Sequence, residues 1–303
     1  MVRTKRVAIQ SYKGGTGKTY LCANLATFLA DERKKKVLLI DADWHAGTLA
    51  RYFFLEETIE TMPTFNDFII WLADTYQEAY TTQTSTYDLT DPQFVSSIVD
   101  RLEQCVLPTD FGKLDLIGIQ GIADPTRKNM GGLPMRFWTR MAIGWLRRVF
   151  TDLGKRRQYD IILLDNAPGF SYQTLSTMVI ADGSIVVASP DRHNVDETLR
   201  VLRTTSGPLK QLLKLQSEVS IVLPIRTIFN SYVASSRIAS TNLGRWKEEF
   251  ESLAPVIGVF PCDCTIKGGD LMIPNLYQAQ PDHPWARELP RVVDNLLTAL
   301  GIQ

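Results

Sequence analysis

The sequence predicts an α/β fold in which helices flank both faces of a doubly wound, mostly parallel β-sheet. Short aliphatic runs recur along the chain, and apolar residues at helical spacing lie between most of them. A glycine-rich loop joins the first aliphatic run to the first helical segment. The predicted strands are 6–11, 37–40, 114–119, 159–164, 184–188, 219–223 and 256–260. The predicted helices between them include 20–30, 134–150, 195–215 and 238–253.

Local patterns justify these elements in chain order. Residues 6–11 form a short apolar run that ends at the glycine loop, which indicates a strand, and residues 20–30 then follow a helical period. The run 37–40 is continuous and bounded by charged residues, as is typical of a parallel strand covered on both faces. The later aliphatic runs have the same character. Their alternation with helical patterns indicates βαβ units.

Composition limits the class of protein. The chain has 303 residues, of which 45% are hydrophobic, and this suffices for a substantial core. Basic and acidic residues number 33 each, so the overall charge gives no reason to expect nucleic acid or an anionic membrane as a partner. Four cysteines at irregular spacing favour a reducing compartment. Since no apolar run has membrane-spanning length and no signal-peptide core follows the N-terminus, we expect a cytoplasmic protein.

Residues 55–113 interrupt the strand–helix alternation with two predicted helices. Thr64 and Asp67 form a capping-box pattern before an apolar stretch. Asp91 and Pro92 match a helix N-cap followed by proline at the first helical position. The threonine-rich segment 81–90 between the two helices is expected to be a mobile connector. We therefore expect one domain over 1–303 that contains a helical insertion at 55–113.

The glycine loop carries the strongest chemical signal. Residues 13–19 (KGGTGKT) lie directly after a predicted strand and open a helix. Glycines allow consecutive backbone N–H groups to face a phosphate, and the helix N-terminus adds positive potential. Lys18 can reach the β- and γ-phosphates, and the Thr19 hydroxyl can bind Mg²⁺. The loop therefore predicts binding of a nucleotide with Mg²⁺.

Carboxylates follow two other predicted strands. Asp41 and Asp43 come after the second strand, and Asp165 ends the aliphatic run 161–164. An aspartate after a strand is often only a turn or helix cap. Because the carboxyl ends of parallel strands meet at the edge where the glycine loop lies, these groups are placed to hold a magnesium ion and orient a water.

Three segments together resemble one family. KGGTGKT at 13–19, DAD at 41–43 and LLDNAPG at 163–169 resemble the deviant Walker A, Walker A′ and Walker B motifs of ParA/MinD P-loop ATPases, and the likeness covers nearly the whole chain. The resemblance implies an ATPase that uses ATP and Mg²⁺, hydrolyses slowly with a stimulating partner, and forms an ATP-dependent sandwich homodimer.

The resemblance also implies individual roles. Lys13 matches the signature lysine that reaches the partner's nucleotide, Asp43 the switch I carboxylate that orients water, and Asp165 the magnesium-linked aspartate. The implied catalytic residues are Lys13, Lys18 and Asp43. The implied metal residues are Thr19, Asp41 and Asp165. The implied nucleotide-binding residues are Gly14, Gly15, Thr16, Gly17, Lys18, Thr19, Tyr20, Asn230, Pro261 and Asp263.

Two of these assignments rest on weaker patterns. Asn230, expected after the sixth strand, resembles the adenine-reading position, but an asparagine at a strand end is as often a turn residue. After Asp43 the sequence has Trp44-His45-Ala46, where many ParA proteins have proline-glutamine-glycine. This departure leaves the switch I geometry and the hydrolysis rate open.

The cellular role remains divided between several alternatives. A partition ATPase would bind DNA nonspecifically and lie on the nucleoid, and Arg136, Arg140 and Arg147 fall on one predicted helical face, followed by the basic run 155–157. The alternative is a solvated face of an amphipathic helix. Residues 56–115 are acidic and 127–157 basic, which indicates either two interaction surfaces or internal charge pairing.

Other members of the family offer further alternatives. A MinD-like membrane tail is not expected, because 285–300 contains Pro290 and balances its charges. This segment is expected to pack on the core instead. Cys262 and Cys264 could share a zinc or cluster site across a dimer axis, although their spacing matches no common metal motif. The C-terminus lacks the tyrosine cluster of a bacterial tyrosine kinase, and a signalling ATPase that docks a protein partner without DNA remains an alternative.

Overall fold

The computed structural model describes residues 3–43, 46–82, 91–119, 143–214, 225–232, 237–262 and 273–302. Within them, eight strands form one sheet in the order β3-β4-β2-β5-β1-β6-β7-β8. All neighbouring strands are parallel except β3 and β4. The strands are β1 Lys5–Ser11, β2 Val37–Ala42, β3 Leu107–Pro108, β4 Leu114–Ile117, β5 Ile161–Asn166, β6 Gly183–Ala188, β7 Ile225–Tyr232 and β8 Val256–Pro261. The predicted doubly wound, mostly parallel sheet is confirmed.

Two strands differ from the sequence-based expectation. The predicted strand 219–223 lies outside the described residues, and the strand that the structure describes in this region is β7, Ile225–Tyr232. Asn230 therefore lies inside β7 and not after a strand, which corrects its expected position. The pattern favoured 219–223 because that run is aliphatic, whereas β7 mixes polar and apolar residues. The two-residue strand β3 is too short to leave a periodic signal.

The helices predicted over 20–30, 195–215 and 238–253 begin and end close to the predicted positions, whereas the helix predicted over 134–150 continues to Arg157. They are α1 Lys18–Asp31, α2 Glu56–Thr61, α3 Phe65–Thr82, α4 Pro92–Glu103, α5 Ile143–Arg157, α6 Tyr172–Ile180, α7 Arg192–Lys214, α8 Arg237–Glu251, α9 Leu276–Ala279 and α10 Pro284–Leu300, with a 3₁₀ turn at Leu49–Tyr52. The predicted helical residues 134–142 and most of the connector, 83–90, lie outside the described residues.

Both predicted caps in the segment 55–113 are present. The Thr64 amide donates to Asp67 Oδ2 and the Asp67 amide to Thr64 Oγ1, each at 3.2 Å, which is the reciprocal capping box at the start of α3. The Asp91 carboxylate accepts from the amide of Gln93 at 2.9 Å at the start of α4. Both helices bury apolar side chains in the same core cluster as strand β2, where α3 packs against β2 and α4 packs against α3 and α5.

Helices cover both faces of the sheet. On one face α1 and α10 pack against residues such as Val7 and Ile9, and on the other α3 to α6 pack against residues such as Ala8. Further along that second face, α7 and α8 cover β6. The expected packing of the C-terminal helix on the core is confirmed, since Trp285 is 1% exposed. Among the described helices, no segment is both long and apolar enough to cross a membrane.

Candidate functional site

The glycine loop connects the carboxyl end of β1 to the N-terminus of α1. Gly15 and Gly17 both have φ of 75°, a left-handed conformation that glycine adopts without the steric cost other residues incur. Gly17 is the N-cap of α1 and no acidic residue occupies the first turn of the helix. The helix N-terminus therefore keeps its positive potential for an anion.

A buried ion pair lies at this helix N-terminus. Lys18 Nζ lies 2.5 Å from Asp165 Oδ1, and their side chains are only 5% and 1% exposed. Burial lowers the pKa of Lys18, but neighbouring groups, with Asp165 first among them, together more than offset it, so the pKa lies above its ordinary value. Cys22, one turn later on α1, donates from Sγ to the same oxygen at 3.3 Å. Lys18 is therefore charged and held close to the end of β5.

The second oxygen of Asp165 is the feature that fits a metal ion. Asp165 Oδ2 is buried and has no hydrogen-bond partner among the described residues. A buried carboxylate oxygen without a donor is costly unless a cation or water satisfies it. Thr19, next to Lys18, is half-buried at the mouth of the loop. The described residues contain no cluster of three Asp, Glu, His or Cys side chains that could hold a metal ion. Mg²⁺ is commonly held by one or two carboxylates together with the phosphates of a ligand.

Asp41 organises the loop after β2. Its Oδ1 accepts from the amide of Asp43 at 3.0 Å and its Oδ2 from the amide of Leu49 at 3.2 Å. Burial raises the pKa of Asp41 well above its ordinary value, and the neighbouring Asp165 raises it further. Asp41 and Asp165 are direct partners in the register of β2 and β5. The structure places Asp41 beside Asp165 and shows that it holds the loop 43–49, whereas its predicted role as a metal residue stays a prediction.

The other residues of this loop are only partly described. Asp43 is 9% exposed and lies at the start of the loop. Trp44 and His45, where the sequence departs from the family pattern, lie outside the described residues. Lys13 stands on the entrance of the glycine loop with an exposed side chain, as its expected role requires. Ser11 Oγ donates to the Lys13 carbonyl at 2.9 Å and fixes the backbone there.

The expected adenine site is not assembled by the described residues alone. Pro261 ends β8 and Asp263 lies outside the described part of the chain. Tyr20 is 5% exposed, because its ring packs edge-on against Trp285 at a centroid distance of 5.1 Å. The Tyr20 ring is thus a packing element within the core.

Two polar residues of the site were missed by the sequence-based prediction. Gln10 is fully buried at the end of β1 and bonds the loop after Asp165, and Cys22 bonds Asp165 itself. The available signal for Gln10 was a polar residue directly after the apolar run 7–9, four positions before the first glycine of the loop. Cys22 stands four residues after Lys18, on the same face of α1.

The basic run 155–157 in the last turn of α5 is largely paired within the chain. Arg156 Nη1 lies 2.5 Å from Asp100 and 2.8 Å from Glu103, and Arg157 also pairs with Glu103. These contacts join α5 to α4 and lower the pKa of Glu103, whose burial is outweighed by hydrogen bonds from both arginines. For this part of the acidic and basic segments, internal charge pairing is the observed arrangement.

Of the three arginines proposed for DNA, one is described. Arg147 is half-buried on α5, and its backbone carbonyl accepts from Arg6 Nη1 at 3.2 Å. Burial, and then the nearby Arg6, lower the pKa of Arg147. Arg136 and Arg140 lie outside the described residues, as does Cys264, whereas Cys262 is a half-buried free thiol.

Comparison with known proteins places this geometry in a family. Residues 4–214 match the model of a family described as an AAA domain (AAA_31). An uncharacterized ATP-binding protein of Methanocaldococcus jannaschii is 26% identical over 293 residues, which cover 97% of this chain and 88% of that protein.

Two solved structures share the fold. The septum site-determining protein MinD of Pyrococcus horikoshii, complexed with Mg-ADP, superposes with a TM-score of 0.64 and 21% identity, over 97% of this chain and 96% of that one. An ATP complex of a McdA variant from Cyanothece superposes with a TM-score of 0.66 and 18% identity, over 100% and 98% of the two chains.

Proposed function

Because this chain belongs to the AAA_31 family of P-loop ATPases of the ParA/MinD type, we propose that it is a molecular switch that binds Mg-ATP, hydrolyses it slowly with the help of a partner protein, and dimerises in the ATP state. The similar MinD and McdA structures hold Mg-ADP and ATP. The same ligands fit the loop and carboxylates of this chain.

The observation that carries the proposal is the environment of Asp165. One oxygen holds Lys18 at the helix N-terminus, and the other is buried without a partner in the described part of the chain. We assign Asp165 and Thr19 to Mg²⁺, which would neutralise phosphate charge when bound. Asp41 contributes through the loop that it holds, since each of its oxygens already accepts a backbone N–H.

The remaining roles belong to residues around the phosphate loop. The amides of residues 14–19 bind the phosphates and Lys18 neutralises their β- and γ-oxygens. Asp43 orients the attacking water from the start of the following loop. In this proposal Asn230, Pro261 and Asp263 surround the adenine. Residues 1–303 form one domain, and residues 55–113 are an insertion within it.

Lys13 links nucleotide occupancy to dimerisation in this proposal. Its side chain is exposed on the loop entrance, whereas Lys18 is buried against its own subunit's Asp165. A lysine that points outward beside the nucleotide can reach the phosphates of a second copy. ATP would then stabilise the dimer because it binds that form preferentially.

The deciding experiment compares Lys13→Ala with its parent in an Asp43→Ala background that traps bound ATP. Light scattering should show an ATP-dependent dimer for the parent and a monomer for the Lys13 variant, while calorimetry shows that both bind ATP. Equal dimerisation of the two proteins would disprove the sandwich arrangement. Lys5→Ala, on β1 away from the loop, is the matched control.

For the cellular role we propose positioning or partition of DNA or another cargo on a DNA matrix. The pairing of Arg156 and Arg157 with α4 favours a second candidate, a switch that docks a protein partner without DNA. A nucleotide-dependent DNA pelleting assay distinguishes them. DNA retention of the ATP form that weakens when Arg136 and Arg140 are changed to Glu supports the first, and absence of retention at low salt supports the second.

A further inference from the structure

A fully buried amide fastens the loop that follows Asp165. Gln10 Nε2 donates to the carbonyls of Ser11 at 3.1 Å and Ala167 at 3.0 Å, and also to that of Gly169. The Gly169 amide donates back to the Ser11 carbonyl at 2.9 Å. The loop 167–169 is therefore held against the strand that leads into the glycine loop. Gly169 has φ of 88°, so this position depends on a conformation that favours glycine.

The hydrogen bonding of Gln10 in this arrangement is incomplete. Its NH₂ group has two hydrogens and faces three carbonyl oxygens. Its Oε1 is buried and, within the described residues, has no hydrogen-bond partner. The carbonyls fix which end of the amide faces the loop, because the reversed amide would place oxygen against oxygen. Gln10 thus holds the loop while its acceptor goes unused.

A complementary group lies on the neighbouring strand. Ile9 pairs with Asp165 in the parallel register of β1 and β5, so the next positions, Gln10 and Asn166, are neighbours with side chains on the same face. Asn166 Nδ2 is a buried donor that also lacks a partner in the described part of the chain. Asn166 Oδ1 accepts from Thr177 Oγ1 of α6 at 2.7 Å, which leaves only the amide nitrogen unused.

We propose that Gln10 is a positioning residue with two alternative partners, the carbonyls of loop 167–169 and the side-chain amide of Asn166. The structure shows the first arrangement, in which Gln10 holds the loop against β1. In the second, which bound nucleotide would favour, Gln10 Oε1 accepts from Asn166 Nδ2, and the loop is released to follow the ligand. This inference rests on the proposed ATP binding and hydrolysis.

The loop is suited to such an element because of its place in the chain. It begins two residues after Asp165, so its position changes the surroundings of the Lys18–Asp165 pair. Each arrangement satisfies groups that the other leaves unused, and two packed arrangements of this kind form a two-state element that a ligand can bias.

The first test measures hydrogen exchange of the Gly169 amide in the nucleotide-free protein. Pro168 has no amide, so a short peptide over the loop reports Gly169 clearly. Gln10→Met should speed exchange by about tenfold or more, because it removes the donor and keeps the length of the side chain. Ser184→Ala truncates a hydroxyl on the adjacent β6 that is also buried without a hydrogen-bond partner among the described residues, and it should leave exchange unchanged. Unchanged exchange in Gln10→Met would overturn the proposal.

The second test asks whether Asn166 provides the alternative partner. A non-hydrolysable ATP analogue with Mg²⁺ should speed Gly169 exchange in the wild type but not in Asn166→Ala, in which the released form is lost. The control is Thr177→Val, which also removes the hydrogen bond between Thr177 and Asn166 but keeps the Asn166 amide. Its Gly169 exchange should respond to the analogue as in the wild type. If the analogue changed Gly169 exchange equally in Asn166→Ala and in the wild type, the two-partner mechanism would be overturned. Slow Gly169 exchange in wild type saturated with the analogue would overturn it as well.

Kinetics separate positioning from a general structural effect. Gln10→Met and Asn166→Ala should each lower kcat by about tenfold and leave the ATP affinity within about twofold. Parallel losses of affinity, thermal stability and kcat would show a structural role only and contradict the proposal. If the wild type bound no ATP by calorimetry, the proposed function would fail, whereas the nucleotide-free exchange test would still decide whether Gln10 holds the loop.

Discussion

Replacing Asp182 by asparagine should weaken the anchor of the phosphate-loop strand. Arg6 of β1 is 2% exposed, and its amide and Nε both donate to Asp182 Oδ2 at 2.9 Å. Its Nη2 donates to Asp182 Oδ1 at 3.0 Å. Asparagine keeps the shape of the aspartate side chain but removes its charge, so the buried guanidinium loses its counter-ion.

The size of the effect follows from burial. Removing one partner of a buried ion pair costs about 3–5 kcal/mol of unfolding free energy. Asp182 retains 16% exposure, and its contact with Arg3 is exposed, so we expect the lower end, about 3 kcal/mol. With an unfolding entropy of about 2.1 cal/mol/K per residue, this corresponds to a Tm lower by about 5 °C.

The effect should depend on pH. Burial raises the pKa of Asp182, but hydrogen bonds from Arg6 outweigh it and hold the folded-state pKa below the ordinary value of 3.8. A lowered folded-state pKa stabilises the protein above the unfolded-state pKa, and this stabilisation is lost as pH falls through the folded-state value. The difference between wild type and Asp182→Asn should therefore be greatest at neutral pH and shrink below pH 3.8.

Urea unfolding of both proteins across a pH series measures this difference. Arg3→Ala is the matched control, since it removes only the exposed contact of Asp182 and should cost less than about 1 kcal/mol. A difference that stays constant with pH, or equal effects of the Asp182 and Arg3 variants, would refute the assignment of a buried, charge-dependent anchor.

Four further outcomes follow from the proposed function and the packing of the chain. Lys18→Ala should abolish ATP binding in calorimetry, because it removes the cation that faces the phosphates, and unchanged affinity would contradict its role. Asp43→Ala should retain ATP affinity and slow hydrolysis by about 10²-fold or more, and normal turnover would remove Asp43 from the mechanism. Gly258→Ala would place a Cβ 2.4 Å from Val292 Cγ2 and should lower the unfolding free energy by about 1–3 kcal/mol. Gly244→Ala in α8, where the Cβ meets nothing within 4 Å, should instead raise it by about 0.5–1 kcal/mol, and equal effects in urea unfolding would refute this reading of the packing.

The sequence predicted the fold where its signals are local. The run 37–40 and the aliphatic part of β5 are buried along their whole length, so a continuous apolar pattern suffices to identify them. The capping box is also a local signal, because Thr64 and Asp67 stand only three positions apart in the sequence. In contrast, β7 is ordered by pairing with β6 and β8, and its mixed sequence does not reveal that neighbours on both sides supply its hydrogen bonds.

The sequence motifs were sufficient to predict which of their own residues come together at the candidate site. Lys18, Asp41 and Asp165 converge as the strand order requires. The contacts of Gln10 could not be predicted, because they depend on the register between β1 and β5 and on a left-handed glycine in a distant loop. The pairing of Arg156 with α4 likewise depends on how two helices pack, whereas the sequence shows only the two opposite charges.

Charge balance connects the site to its ligand. Asp41 and Asp165 are adjacent and almost completely buried, and the ammonium of Lys18 is the cation that contacts Asp165. In the proposed function Lys18 would turn to a phosphate, and Asp165 would lose its partner while a highly charged anion entered beside it. Burying two neighbouring carboxylates without a compensating cation is costly. A divalent ion arriving with the nucleotide would satisfy Asp165 Oδ2 and replace the charge that Lys18 withdraws, which is the physical reason for proposing Mg²⁺ at this site.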